Sequence, residues 1–333
     1  MYRKEKTIMK NSFKQNLSQL FHLVKRNFLV FVTDKVAFGF SFLSPAIVFL
    51  LFIVFLGKTQ VDSIMSNFKN LSEENYLAIN KIVTSVITNW MTCSVMATSV
   101  ITVTLGAASK MVDDKIQKTE YVLNASPIEG HVLIGSYVIS TSFSALLVNT
   151  VIYSLTFIYL AITHAFYITI KMAFFGLLVI LISILATSTI FLLIVNFLSK
   201  PTEVAVFSSL ISVVGGFMVG GYFPITKMPL FLQRILTFVP GYYSLGLFRK
   251  VFLSNTYIKI EETIKTLPNS NQYNGFLRVI NRDFGPSLDF WGHELKAWHM
   301  FLALILTAIT FFSIFLIIKH FQFKKRRFFA KQI

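Results

Sequence analysis

Residues 172–198 read MAFFGLLVILISILATSTIFLLIVNFL, a stretch without one charged side chain. About 20 helical residues cross a hydrocarbon core of about 30 Å, so this segment is long enough to span a bilayer. Working outward, similar runs cover Val36 to Gly57 with Pro45 inside, about Ile82 to Leu105, and about Val132 to Ile162. Two more follow, from about Val204 to Phe223 and from Trp298 to Ile318. The expectation is an all-α polytopic membrane protein with six transmembrane helices. A further apolar stretch, Met228 to Leu253, is interrupted by Gln233, Arg234, Pro240, Gly241, Arg249 and Lys250. Each charge costs about 2.5–3.5 kcal/mol at the bilayer midplane on insertion scales. That stretch therefore reads as an external re-entrant or interfacial helical hairpin before the last span.

Composition agrees. Of 333 residues, 54% are hydrophobic and only 14% charged, against about 25% charged in soluble domains. Net charge is +16, but the Lys and Arg residues sit at the ends of apolar runs, where anionic headgroups and the positive-inside rule favour them. Nucleic acid is not the expected partner. The lone Cys93 excludes an intrachain disulfide and a cysteine-based metal cluster.

Basic residues orient the chain. Arg3, Lys4, Lys6, Lys10, Lys14, Lys25, Arg26 and Lys35 precede the first span, and Lys319, Lys324, Lys325, Arg326, Arg327 and Lys331 follow the last. An even number of spans puts both blocks on one side, which the rule makes the cytoplasm. The expected organisation is a cytoplasmic N-terminus at 1–35, five spans within 36–225 with a cytoplasmic loop at 110–130, an external segment at 226–297, the last span at 298–318 and a basic cytoplasmic tail at 319–333. Phe13, Leu17, Leu20, Phe21, Val24 and Phe28 recur at helical spacing near the N-terminus. That pattern suits an amphipathic helix in the headgroup plane, or one packed on protein.

Catalytic motifs are wanting. Gly57-Lys58-Thr59 imitates the end of a phosphate-binding loop, but Phe52 stands where the motif needs glycine, and the string ends a span rather than opening a helix after a strand. The histidines lack metal-ligand spacing, and the adjacent acids Asp113-Asp114 and Glu261-Glu262 lie outside the spans. The chain reads as a non-enzyme that binds no cofactor of its own.

The second span is chemically unusual. At 100° per residue, Ser85, Thr88, Asn89, Thr92, Met96 and Ser99 fall on one face. Such a stripe either packs against another helix or lines a substrate path. Ser and Thr can bond a carbonyl one turn back, so Asn89 is the residue that needs a partner. Gly215, Gly216, Gly220 and Gly221 end the fifth span; they permit close helix approach or a flexible break.

The order of features resembles the membrane subunits of ABC-2 type exporters, a group that moves drugs, lipids and polysaccharides. Two stretches carry the likeness. Thr119-Glu120-Tyr121-Val122-Leu123-Asn124-Ala125-Ser126-Pro127-Ile128 looks like the family's Gly-Thr-Leu-Glu segment leading to a Ser/Thr-Pro. Lys118 stands where the family usually has glycine, and Tyr121 stands at the usual Glu position. Gly220-Gly221-Tyr222-Phe223-Pro224, then Met228-Pro229, Pro240 with Tyr243, and Arg249, are similar to the family's proline-punctuated external hairpin.

The resemblance implies a permease that pairs with an identical or homologous permease, each seated on a separate cytoplasmic ABC ATPase that uses ATP and Mg. Coupling to that ATPase would fall to Asp113, Asp114, Lys115, Glu120, Tyr121, Ser126 and Pro127, with a smaller contact at Lys200 and Pro201. The cargo would be amphipathic or hydrophobic, such as a drug, a peptide antibiotic or a lipid, exported through a bacterial plasma membrane. The competing reading is a secondary transporter or channel driven by an ion gradient, which intramembrane acids and an inverted repeat would support. No Asp or Glu falls inside an expected span, and no internal repeat is visible.

Overall fold

The computed structural model describes residues 2–68, 72–126, 128–220, 224–266 and 274–329. Helix α1 (Tyr2–Thr33) turns at Asp34, whose carboxylate accepts the Ala37 N–H at 2.9 Å and caps α2 (Lys35–Phe40). Next come α3 (Leu43–Leu51), a π-helical turn at Phe52–Leu56 and α4 (Gly57–Met65). Together they make one apolar span from Lys35 to Met65. A Cβ on Gly57 would lie 2.9 Å from the Phe52 ring. The glycine of the apparent phosphate-loop string thus makes room for an aromatic ring beside the wide turn.

Helices α5 (Glu73–Ala108), α6 (Lys110–Ile116) and α7 (Thr119–Ala125) follow, then α8 (Gly130–Ile162), α9 (Ile170–Val195) and α10 (Pro201–Met218). The last third holds α11 (Leu230–Leu236), α12 (Pro240–Phe252), α13 (Ser254–Lys265), α14 (Asn274–Phe284), a short antiparallel pair β1 (Asp289–Phe290) and β2 (His293–Glu294), and α15 (Ala297–Phe329). Among the described residues, five helical segments are long and apolar enough to cross a membrane: Lys35–Met65, Glu73–Ile116, Gly130–Ile162, Ile170–Val195 and Ala297–Gln322. The expected fifth span corresponds to α10, whose apolar part, Pro201–Phe217, is shorter. At about 1.5 Å per residue its 18 residues reach about 27 Å. Tyr222 and Phe223, which extended that run in the sequence, lie outside the described residues.

Helix α5 is the axis of the bundle. It touches α3, α4, α8, α9, α10, α12 and α13, and every residue from Ser85 to Ile101 is buried. The peripheral helices keep one covered stripe and give the rest to lipid. In α15 the stripe is Met300, Leu304, Phe315 and Lys319, while Leu302, Ile305, Leu306, Ile309 and Ile317 face outward. Helix α1 packs Leu23, Asn27 and Phe31 on α8 and leaves Leu17 and Phe21 exposed. It therefore meets protein with one face and leaves apolar side chains exposed on another.

A Cβ on Gly215 of α10 would make ordinary contact with Ile101 of α5 at 3.8 Å, so the packing there does not demand glycine, whereas Gly220 adopts φ +67° and turns the chain out of the helix. Gly176 of α9 sits beneath Tyr153 of α8, whose hydroxyl donates to the Ala173 carbonyl at 3.0 Å. A Cβ there would overlap that hydroxyl oxygen at 1.9 Å. Gly176→Ala is expected to lower stability by about 1–3 kcal/mol through overpacking. Adding Tyr153→Phe should recover part of the loss, as read by thermal unfolding in detergent.

Candidate coupling site at one end of the bundle

Residues 110–126 close one end of the bundle with two short helices, and four charged side chains tie them to the body. Asp114 of α6 is 7% exposed and takes both terminal nitrogens of Arg26 from α1, at 2.6 and 2.9 Å. The Tyr137 hydroxyl of α8 donates to the same carboxylate at 2.7 Å. A bidentate guanidinium–carboxylate pair fixes direction as well as distance, and the carboxylate holds the Arg26 pKa above its ordinary value. Lys110 bridges Asp34 at 2.7 Å and Asp113 at 3.2 Å, which pins α6 to the corner between α1 and α2. The Asp34 carboxyl is held below the ordinary aspartate range by the Ala37 N–H and by Lys110. Its contribution is therefore present above about pH 4 and is lost as pH falls through the lowered value.

Lys115 reaches across to α9. Its ammonium donates to the carbonyls of Asn196 at 2.6 Å, Leu198 at 2.9 Å and Val195 at 3.3 Å. These carbonyls lie at the end of a helix, where the last turn leaves acceptors short of partners and a cation is also favoured by the helix dipole. The fourth tie joins α7 to the last span: Glu120 and Lys319 pair at 3.2 Å with side chains only 9% and 7% exposed.

Between α6 and α7, Lys118 adopts φ +60°. A left-handed residue costs a non-glycine side chain about 1–2 kcal/mol, which explains why glycine suits this position. The adjoining shift of the acid by one residue also has a structural reading. One helical step is 100°, so Glu120 points inward to Lys319 while Tyr121 is 65% exposed. The outer surface of this end carries Ile116, Tyr121, Val122 and Phe197 exposed, with Lys200 and Pro201 exposed at the start of α10. Glu203 accepts the Ser199 and Lys200 N–H groups at 2.8 and 3.2 Å and caps that helix. A cavity of about 280 Å³ lies between α1, α6 and α8, walled by Arg26, Asp34, Lys110, Asp114 and Tyr137.

The structure thus divides the residues expected to couple. Asp114 and Glu120 are buried ties, Asp113 and Lys115 are half-buried ties, and Tyr121 is outward. Ser126 donates to the Val122 carbonyl at 2.9 Å, and Pro127 lies outside the described residues. Arg26, Asp34, Tyr137 and Lys319 were not legible as members of this cluster. Arg26 and Lys319 stood out in the sequence only as basic residues flanking spans.

The stripe on α5 is enclosed within the protomer. Ser85, Thr88 and Thr92 donate to carbonyls one turn back, at 3.0, 2.8 and 2.9 Å. Asn89 donates to Ser85 O at 2.9 Å and to Ala165 O, in the connection after α8, at 2.8 Å. Ser99 donates to Asn149 Oδ1 of α8 at 2.7 Å, and Met96 is fully buried. Helix packing uses this face in the structure. Of the residues expected to form an external hairpin, Pro224 precedes a short 3₁₀ turn, Pro229 precedes α11 and Pro240 opens α12. The Tyr243 hydroxyl donates to Thr237 O at 2.7 Å, and Arg249 is buried inside the bundle.

Removing one partner of a buried pair costs about 3–5 kcal/mol, because a charge is left uncompensated. Lys319→Met is expected to lose that much stability, and Lys319→Met with Glu120→Leu to lose distinctly less than the two single changes combined. Lys118→Val should lose about 1 kcal/mol, whereas Lys118→Gly should not destabilise. Thermal unfolding in detergent reads both sets.

The comparison with known families bears on the same region. The family model described as ABC-2 type transporter matches residues 18–253, most of the chain, running from within α1 to the end of α12. No curated protein matches the chain. Domains of this kind are membrane components that generally pair with an ATPase subunit. With its all-helical, multi-pass architecture, the chain belongs to the ABC-2 type transporter family.

Proposed function

We propose that the chain is the permease subunit of an ATP-driven exporter, and that residues 110–126 receive the stroke of a cytoplasmic ATPase. The observation that carries this reading is the bracing of α6 and α7. Arg26–Asp114, Lys110–Asp34, Lys115 on the end of α9 and Lys319–Glu120 join them to α1, α9 and α15. A push on a segment held by one flexible link would be absorbed locally. A push on a segment braced to three long helices moves those helices together.

In this reading both termini and the 110–126 end are cytoplasmic, in a bacterial plasma membrane. The exposed Ile116, Tyr121 and Val122 seat on the ATPase, with Lys200 and Pro201 as a smaller contact. The ATPase supplies ATP and Mg, and the chain itself is not catalytic. A second permease, identical or homologous, completes the transporter. The exposed apolar face of α10, with Val206, Leu210, Val213 and Phe217, is available to it. Cargo is amphipathic or hydrophobic: a drug, a peptide antibiotic or a lipid. A substrate role for the stripe from Ser85 to Ser99 requires α5 to part from α8, since Ser99 and Asn149 now close that seam.

Gentle-detergent purification of the tagged chain from its host tests the reading. An ATPase subunit is expected in about equal amount. Ile116→Asp and Val122→Asp should strip that subunit away while thermal stability stays within about 0.5 kcal/mol, as for other surface changes. An intact chain without an ATPase, moving cargo only when an ion gradient is applied, would replace the proposal with a secondary transporter.

A further inference from the structure

The cavity between α1, α6 and α8 contains polar groups that the bracing of α6 does not use. Its volume is about 280 Å³, more than one ion or one water needs. The carboxylates of Asp34, Asp113 and Asp114 line it against only two cations, Arg26 and Lys110, so negative charge is in excess. Arg26 and the Tyr137 hydroxyl occupy Asp114. The Lys110 ammonium stands between Asp34 Oδ2 and Asp113 Oδ2. Asp113 Oδ1 accepts no hydrogen bond among the described residues.

Farther along the same wall, Thr141 and Ser144 of α8 are 3% and 2% exposed, and neither hydroxyl bonds any described group. Ser140 beside them takes the ordinary escape and donates to the Tyr137 carbonyl at 3.2 Å. Asn27 of α1, also buried, accepts from Arg26 on Oδ1 at 2.8 Å and keeps its amide N–H groups unused. Buried polar groups of this kind are normally satisfied by protein, water or ligand. Helix α8 starts at the end closed by α6 and α7, so Ser144 lies about 10 Å farther into the bundle than Tyr137, at about 1.5 Å per residue. The cavity thus offers donors on its bilayer side and a spare carboxylate oxygen on its outer side. At the rim, Val30 is exposed, and so are Val36 and Phe40 where the first apolar span begins.

We propose that this cavity holds the headgroup of one zwitterionic phospholipid with a primary ammonium, a phosphatidylethanolamine, clamped between α1, α6 and α8. The phosphate accepts from Thr141, Ser144 and Asn27, with Arg26 beside it. The ammonium donates to Asp113 Oδ1, and the acyl chains leave past Val30 along Val36 and Phe40. In a bilayer the phosphate of this lipid lies nearer the hydrocarbon than its ammonium, which is the order of donors and acceptor along the cavity. An anionic headgroup would add charge of the sign already in excess, and a trimethylated ammonium has no N–H to give. The inference needs a headgroup layer at this end of the bundle and no ATPase, so it stands or falls separately from the proposed function.

The test counts lipids on the full chain. The delipidated protein in detergent is offered equal amounts of phosphatidylethanolamine, phosphatidylcholine and phosphatidylglycerol, and bound lipids are read by native mass spectrometry. One phosphatidylethanolamine per chain is expected to be retained while the other two are stripped. The same lipid should raise Tm saturably by about 2–5 °C. Thr141→Val and Ser144→Ala should each weaken binding about fivefold, the worth of one neutral hydrogen bond. Asp113→Asn should weaken it more than about tenfold, since a charge-assisted bond is lost. Equal retention of phosphatidylcholine or phosphatidylglycerol overturns the proposal, as does phosphatidylethanolamine binding that survives all three substitutions. An equal Tm rise from soluble phosphoethanolamine at the same concentration also overturns it, and assigns the cavity to a small phosphoamine instead of a lipid. Counting on the unaltered chain decides between the lipids even where a variant fails to fold.

Discussion

A helix that carries Thr84, Ser85, Thr88, Asn89, Thr92, Ser94, Thr98, Ser99, Thr102 and Thr104 cannot present those groups to hydrocarbon on every side. The bundle is the solution to that constraint. Helix α5 is enclosed from Ser85 to Ile101, and its hydroxyls fold back on their own carbonyls where they can. Two amides, Asn89 and Asn149, stitch its seams. Each bonds a carbonyl one turn back and a second partner outside its own helix. The outer helices can then be almost wholly apolar toward lipid, because the polar content of the spans has been drawn to the axis.

The same logic governs the charges. At the end closed by α6 and α7, the described ties between helices are mostly ion pairs or a cation on helix-end carbonyls, with the Tyr137 hydroxyl added on Asp114. Such contacts are weak on an exposed surface but directional when half-buried. They hold the short helices to the body alongside the buried Met111 and Val112 of α6. The opposite end is organised by insertion instead. Helix α12 enters the bundle with Tyr242, Leu245, Phe248, Arg249 and Phe252 buried, and aromatic rings pack around it, as in the Phe248–Phe252 and Tyr153–Phe252 pairs. Arg249, the buried charge of that helix, is its most demanding feature.

Family membership and the braced end point the same way. The matched stretch, residues 18–253, starts inside α1 and stops after α12, so it contains the Arg26, Asp34, Lys110, Asp114 and Lys115 ties. The Lys319 tie comes from α15, beyond the matched stretch, and reaches back 199 positions to Glu120. The last span therefore contributes to the end closed by α6 and α7 a contact that the family stretch does not contain.

The sequence by itself determined the all-helical membrane class and the placement of the five long apolar helices. Those follow from uninterrupted apolar length, which acts along the chain and needs no neighbour. It also located the 110–130 segment and the odd chemistry of α5. Only the tertiary structure decided which way each polar side chain points. Asp113 and Asp114 are adjacent and chemically identical, yet one is half-exposed and the other is gripped by Arg26 and Tyr137. Glu120 and Tyr121 differ by one step and face opposite ways. Arg249 reads in the sequence as a charge that keeps a segment out of lipid, and in the fold it is sealed among spans. The reason is physical: burial and pairing are set by partners 23 to 199 positions away, and apolar periodicity carries no record of them.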